Sequence, residues 1–152
     1  MMMGDSAGGG LALALTECFK TEGIKLPDEL VLFSPWVDVT MENEEIAEYQ
    51  PKDPFLVTTS LQPIVNRWAD ELDHHDPRVS PIFGDLKGIK NVTIFVGTDE
   101  IINPDSRKVF HMLDRDVSNE LIVGEGMNHC YPLFPIKEAD SAEHKIFHIV
   151  LR

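Results

Sequence analysis

The chain has 152 residues, a formal net charge of −13 and 43% hydrophobic residues. That length and apolar fraction suit one globular domain with its own core rather than a disordered segment. The acidic balance argues against a nucleic-acid or anionic-membrane surface, since both need clustered Lys and Arg. No apolar run approaches the roughly 18 residues of a membrane span, and no secretory signal is expected at the start. The two cysteines, Cys18 and Cys130, read as reduced thiols of a cytoplasmic protein.

In chain order, the first predicted element is a helix. Leu11 to Thr21 follows three glycines, is rich in Ala and Leu, and should stop near Gly23. Leu30 to Phe33 is a short continuous apolar run, as a buried parallel strand would be. Residues 39 to 80 break the rhythm with prolines, an acidic run and one amphipathic segment, Leu61 to Leu72, which Ser60 could cap. We read this region as a helical, cap-like insert. Val92 to Val96 is a second apolar strand. Asn103 and Pro104 should open a helix running to about Arg115, with Asn103 as its cap. Glu120 to Val123 is a third strand, and Glu138 to Leu151 carries apolar residues at helical spacing. Strands alternating with helices imply an α/β fold, a mostly parallel sheet flanked by helices.

Gly4-Asp5-Ser6-Ala7-Gly8 has the pattern G-x-S-x-G. A nucleophile exposed at a strand's end needs a sharp turn into the next helix, and glycines on either side remove clashing Cβ atoms. Ser6 is the candidate nucleophile. The backbone N–H of Ala7 would supply one oxyanion donor, aided by the positive end of the helix. Alone, the pattern is only moderately specific, since it also describes a Gly/Ser-rich turn before a helix. It also resembles the Gly-Asp-Ser-Gly-Gly of trypsin-like proteases, but those are all-β proteins whose His and Asp precede the Ser, and no such upstream segment is expected here.

An elbow serine needs a base, and the base a carboxylate. The Val92–Val96 strand is followed by Gly97-Thr98-Asp99-Glu100-Ile101-Ile102, and the Glu120–Val123 strand by Gly124-Glu125-Gly126-Met127-Asn128-His129. Of six histidines, only His129 lies in a Gly-rich loop after a strand. His111, His144 and His148 fall on predicted helices. His74 and His75, beside Asp73 and Asp76, read as a solvated loop rather than a metal site. Cys130 reads as a small buried hydrophobe. Trp36 either lines an acyl pocket or packs under the insert, and Phe55 reads as packing.

Five stretches together resemble the hormone-sensitive-lipase-like esterase family of α/β-hydrolases. They are Gly4–Gly9, Ser34-Pro35-Trp36-Val37-Asp38, Asp76-Pro77-Arg78-Val79-Ser80-Pro81, Gly97–Ile102 and Met127-Asn128-His129. The resemblance covers nearly the whole chain but only about half of such an enzyme. Residues 1–152 would thus be a partial α/β-hydrolase domain, its C-terminal portion. The family implies hydrolysis of short-to-medium acyl carboxylic esters without cofactor or metal. It implies Ser6 as nucleophile, His129 as base and an acid placed three residues after the loop glycine. That register favours Glu100; Asp99 is one residue off. The family's His-Gly-Gly-Gly oxyanion loop is absent, and the strand entering the elbow is expected to be cut to Met1–Met3. Other readings are a catalytically impaired remnant and a peptidase or lactonase of the same fold. An exposed sheet edge could also pair with a second copy.

Overall fold

The structure, a computed structural model, describes residues 1–115 and 118–151. Four parallel strands form one sheet in the order β1 (Met2–Asp5), β2 (Leu30–Phe33), β3 (Val92–Gly97), β4 (Glu120–Gly124). Adjacent strands pair through to their ends: Asp5 lies opposite Phe33, Phe33 opposite Phe95, and Gly97 opposite Gly124. All four C-terminal ends therefore open on one edge of the sheet. The chain is a layered α/β fold, with the parallel sheet flanked by helices as its alternating pattern implies.

The two-residue strand period sorts the core. Leu30, Leu32, Val92 and Ile94 pack on one face with Ala12 and Leu13 of α1 (Ala7–Thr21) and Val109 of α4 (Asn103–Met112). Val31, Phe33 and Phe95 pack on the other face with Ala142 and Ile149 of α5 (Asp140–Val150). Strands covered on both sides must be apolar throughout, and every residue of β2 and β3 is buried.

The segment between β2 and β3 holds one short helical turn, α2 (Ile46–Tyr49), and α3 (Thr58–Ala69). Leu61, Val65 and Ala69 repeat every four residues on α3 and are buried against Trp36, Val39, Ile101 and Ile102. The segment leaves and returns at one point. Ser80 Oγ, fully buried, accepts the N–H of Val39 at 2.9 Å, and Ile82 N–H donates to Val37 O at 3.2 Å.

Five local expectations are corrected. The strand entering the elbow is not confined to Met1–Met3: it runs Met2–Asp5, because Gly4 and Asp5 still pair with β2. Helix α1 starts at Ala7, not Leu11, and takes its three glycines into its first turn; a Cβ on Gly10 would strike the Trp36 carbonyl oxygen. Ser60 does not cap α3. It lies within the helix, and its hydroxyl donates back to Val57 O at 2.7 Å. Asn103 does not cap α4 either, and that helix ends at Met112. Phe55, expected to pack, is 57% exposed, with its ring 5.7 Å from that of Phe134. Trp36 is buried in the core of the insert.

Candidate active site

Ser6 follows β1 directly and adopts φ 50°, ψ −120°, a conformation side-chain-bearing residues avoid. The backbone around it enforces that turn. Ser6 N–H extends the ladder to Phe33 O at 2.9 Å. Its carbonyl accepts three N–H groups, from Gly9 (3.0 Å), Gly10 (3.1 Å) and Trp36 (2.9 Å). The turn is tight enough that a Cβ on Gly4 would collide with the Gly8 carbonyl group. Ser6 Oγ makes no hydrogen bond among the described residues, and Ser6 is only half-buried. Ala7 is exposed at the first position of α1, where its N–H has no intrahelical acceptor.

The acid and base loops come from the two neighbouring strand ends. Thr98 N–H donates to Gly124 O at 3.0 Å, and Asp99 N–H to Met127 O at 2.9 Å. These bonds carry the pairing of β3 and β4 into their loops. Glu100 and Asp99 consequently point apart. Asp99 Oδ1 accepts Thr98 Oγ1–H at 3.2 Å. Glu100 turns inward, is fully buried, and meets His129: Oε2 lies 2.7 Å from Nδ1. A carboxylate has no proton to give, so Nδ1 is the donor and Nε2 is the free ring nitrogen. The other carboxylate oxygen, Oε1, accepts Gly97 N–H at 2.6 Å and Ser34 Oγ–H at 2.7 Å.

Opposed influences set the protonation of His129. Burial, the largest, disfavours the charged ring. The neighbouring Cys130 sulfur and the Glu100 carboxylate favour it, and the net direction is upward from the ordinary value. Cys130 itself is buried, with Sγ 3.5 Å from Phe33 O and φ 56°. That left-handed turn carries the chain from His129 into the helical turn Tyr131–Leu133.

Three residues at this edge take roles the sequence reading did not assign. Ser34 joins the acid and base loops. Asn103 Nδ2 donates to Gly97 O at 2.5 Å while its Oδ1 accepts Arg107 Nε–H at 2.7 Å, tying the start of α4 to the acid loop. Asp53, from the insert, accepts Ile101 N–H at 2.8 Å on Oδ2 and Leu56 N–H at 2.9 Å on Oδ1. Ser34 lay within a quoted motif but carried no pattern of its own; Asp53 lies 48 residues from its partner. His75 sits apart and exposed, 3.2 Å from Asp73 and 3.5 Å from Glu42. Among the described residues no cluster of His, Cys, Asp and Glu could hold a metal ion.

Residues 1–133 match the alpha/beta hydrolase fold family. The chain belongs to that family. This α/β-hydrolase chain is 33% identical over 136 residues to an esterase of Acinetobacter venetianus, covering 88% of itself and 45% of that protein. It is 34% identical over 106 residues to an acetyl-hydrolase of Streptomyces hygroscopicus, covering 70% of itself and 36% of the relative. A solved hormone-sensitive lipase from a metagenome library superposes with a TM-score of 0.90 at 29% identity, over 97% of this chain and 52% of the other. The hydrolase chain thus spans about half the length, or less, of these relatives, and corresponds to their C-terminal half. The likeness to hormone-sensitive-lipase-like esterases read from its motifs holds. No helix among the described residues is long and apolar enough to cross a membrane.

Proposed function

We propose that this chain carries the Ser-His-acid machinery of a carboxylic ester hydrolase acting on short-to-medium acyl esters. The observation that carries the reading is the buried Glu100–His129 pair at 2.7 Å, on the same sheet edge as the strained Ser6 turn. Nε2 of His129 takes the Ser6 proton as Oγ attacks the ester carbonyl. Glu100 stabilises the imidazolium that forms, and Ala7 N–H donates to the oxyanion. Collapse of the tetrahedral species expels the alcohol, which receives the proton from His129. Water, activated by the same imidazole, then releases the acyl group from Ser6. No step calls for a cofactor or a metal. The reduced-thiol reading of Cys18 and Cys130 favours the cytoplasm as its setting.

The test is labelling of the chain with a serine-reactive fluorophosphonate, alongside p-nitrophenyl acetate turnover. Labelling of wild type that is lost in Ser6→Ala is the expected result. Equal labelling of both proteins would refute it. Labelling with negligible turnover would identify the impaired-remnant reading as the better one. Preference for amide or lactone substrates would favour a peptidase or lactonase of the same fold.

A further inference from the structure

Ser34 follows the last residue of β2 and is fully buried, with φ 43°. That left-handed conformation costs a side-chain-bearing residue about 1 kcal/mol or more. Pro35 behind it narrows the backbone choices further. Something must hold the residue there, and its bonds say what. Ser34 N–H donates to Phe95 O at 2.7 Å, anchoring it to β3. Ser34 Oγ donates to Glu100 Oε1 at 2.7 Å and accepts Cys130 N–H at 2.9 Å. One hydroxyl therefore joins three strand ends: its own, the acid loop after β3 and the base loop after β4. The direction of the bond to Glu100 is fixed, because the carboxylate can only accept. Oε1 then carries two donors, Ser34 and Gly97 N–H, and Oε2 is left for the imidazole.

We propose that Ser34 is a positioning residue for the acid–base pair: its hydroxyl sets the rotation of the Glu100 carboxylate and, through Cys130 N–H, the seat of the His129 loop. The role rests on the reading of Glu100 and His129 given above, and Ser34 itself touches no reacting atom. A serine kept only to shape the backbone would be replaceable by glycine, which adopts positive φ without a Cβ penalty. Ser34→Gly therefore separates shape from hydroxyl. Ser34→Ala removes the hydroxyl and keeps the Cβ.

The full chain is compared as wild type, Ser34→Gly, Ser34→Ala and Glu100→Gln. Two readouts are taken: the fluorophosphonate labelling rate of Ser6, and the downfield Nδ1 proton of His129 in the 1H NMR spectrum. The proton signal needs no turnover. Both Ser34 variants should keep a cooperative melt. Each should shift the proton upfield or broaden it, and slow labelling about tenfold, the scale of one hydrogen bond to a charged group. Glu100→Gln should abolish the downfield signal. A signal that survives Glu100→Gln would mean that His129 is not paired with Glu100, and the triad reading itself would fail. A signal lost in Glu100→Gln, but unchanged with unchanged labelling in folded Ser34→Gly and Ser34→Ala, would overturn the positioning role alone.

Discussion

Glu100 and Asp99 are neighbours, yet only one of the two side chains reaches the imidazole. The reason is the backbone: Asp99 N–H is spent on Met127 O, which directs its side chain outward and its successor inward. Glu100→Gln should lower the labelling rate of Ser6 by orders of magnitude, and Asp99→Asn by no more than a few-fold. The reverse ranking would move the acid role to Asp99. The pH profile carries a second signature. Attack requires neutral His129, and against the opposing effect of burial the Cys130 sulfur and the Glu100 carboxylate together hold the ring's pKa above its ordinary value. Labelling should therefore still be rising above pH 7, and in Glu100→Gln the residual rate should level off at lower pH. Ser6, His129 and the candidate acids were legible because each lies within three residues of a glycine in a turn or loop after a strand. Ser34, Asn103 and Asp53 were not, because their partners lie 66, 6 and 48 residues away and nothing in local spacing encodes those bonds.

At the scale of elements, apolar runs located β2, β3 and β4, and composition, an Asn-Pro start and helical spacing located α1, α4, α3 and α5; the short α2 was not read. These signals misjudged ends where a competing bond decides the matter. Asn103 has the chemistry of a helix cap but is drawn to Gly97 O. The glycines of α1 resemble a loop but are helical, because that turn must pass close to Gly4 and Trp36. Helix α1 also holds a charge out of place. Glu17 is 8% exposed and its Oε2 has no partner among the described residues. Burial raises its carboxyl from 4.5 to about 7; nearby Lys20 opposes the rise and Asp85 adds to it. The folded state thus favours the protonated form, whereas the unfolded chain ionises near 4.5. The stability this confers is present below that value and is lost as pH climbs through about 7. Against wild type, Glu17→Gln should gain about 2–3 kcal/mol at pH 8 and almost nothing at pH 4. Denaturant titrations at the two pH values measure it. A difference independent of pH would exclude titration of Glu17 as the cause.

At the scale of the whole chain, β1 borders the sheet of the described residues, with β2 as its partner. Met1, Met3, Leu11 and Leu15 are exposed on or beside it, Met3 by 41%. The strand carries neither proline nor lysine to discourage pairing. We propose that residues 1–152, taken alone, self-associate through this edge. Met3→Lys should shift the population towards monomer in light scattering at matched concentration, leaving the far-UV CD unchanged. An identical mass distribution for the two proteins would rule this edge out.

The same topology separates the two halves of the chemistry. Glu100, His129 and Ser34 hang from β2, β3 and β4, and their mutual bonds include nothing from β1. Ser6 stands on β1, which among the described strands pairs with β2 alone. The Ser34, Glu100 and His129 bonds tie the ends of β2, β3 and β4 to one another, so warming that loosens β1 should carry the nucleophile off while the carboxylate and imidazole stay together. Loss of function would then be a local, reversible event at temperatures where most of the fold is still intact.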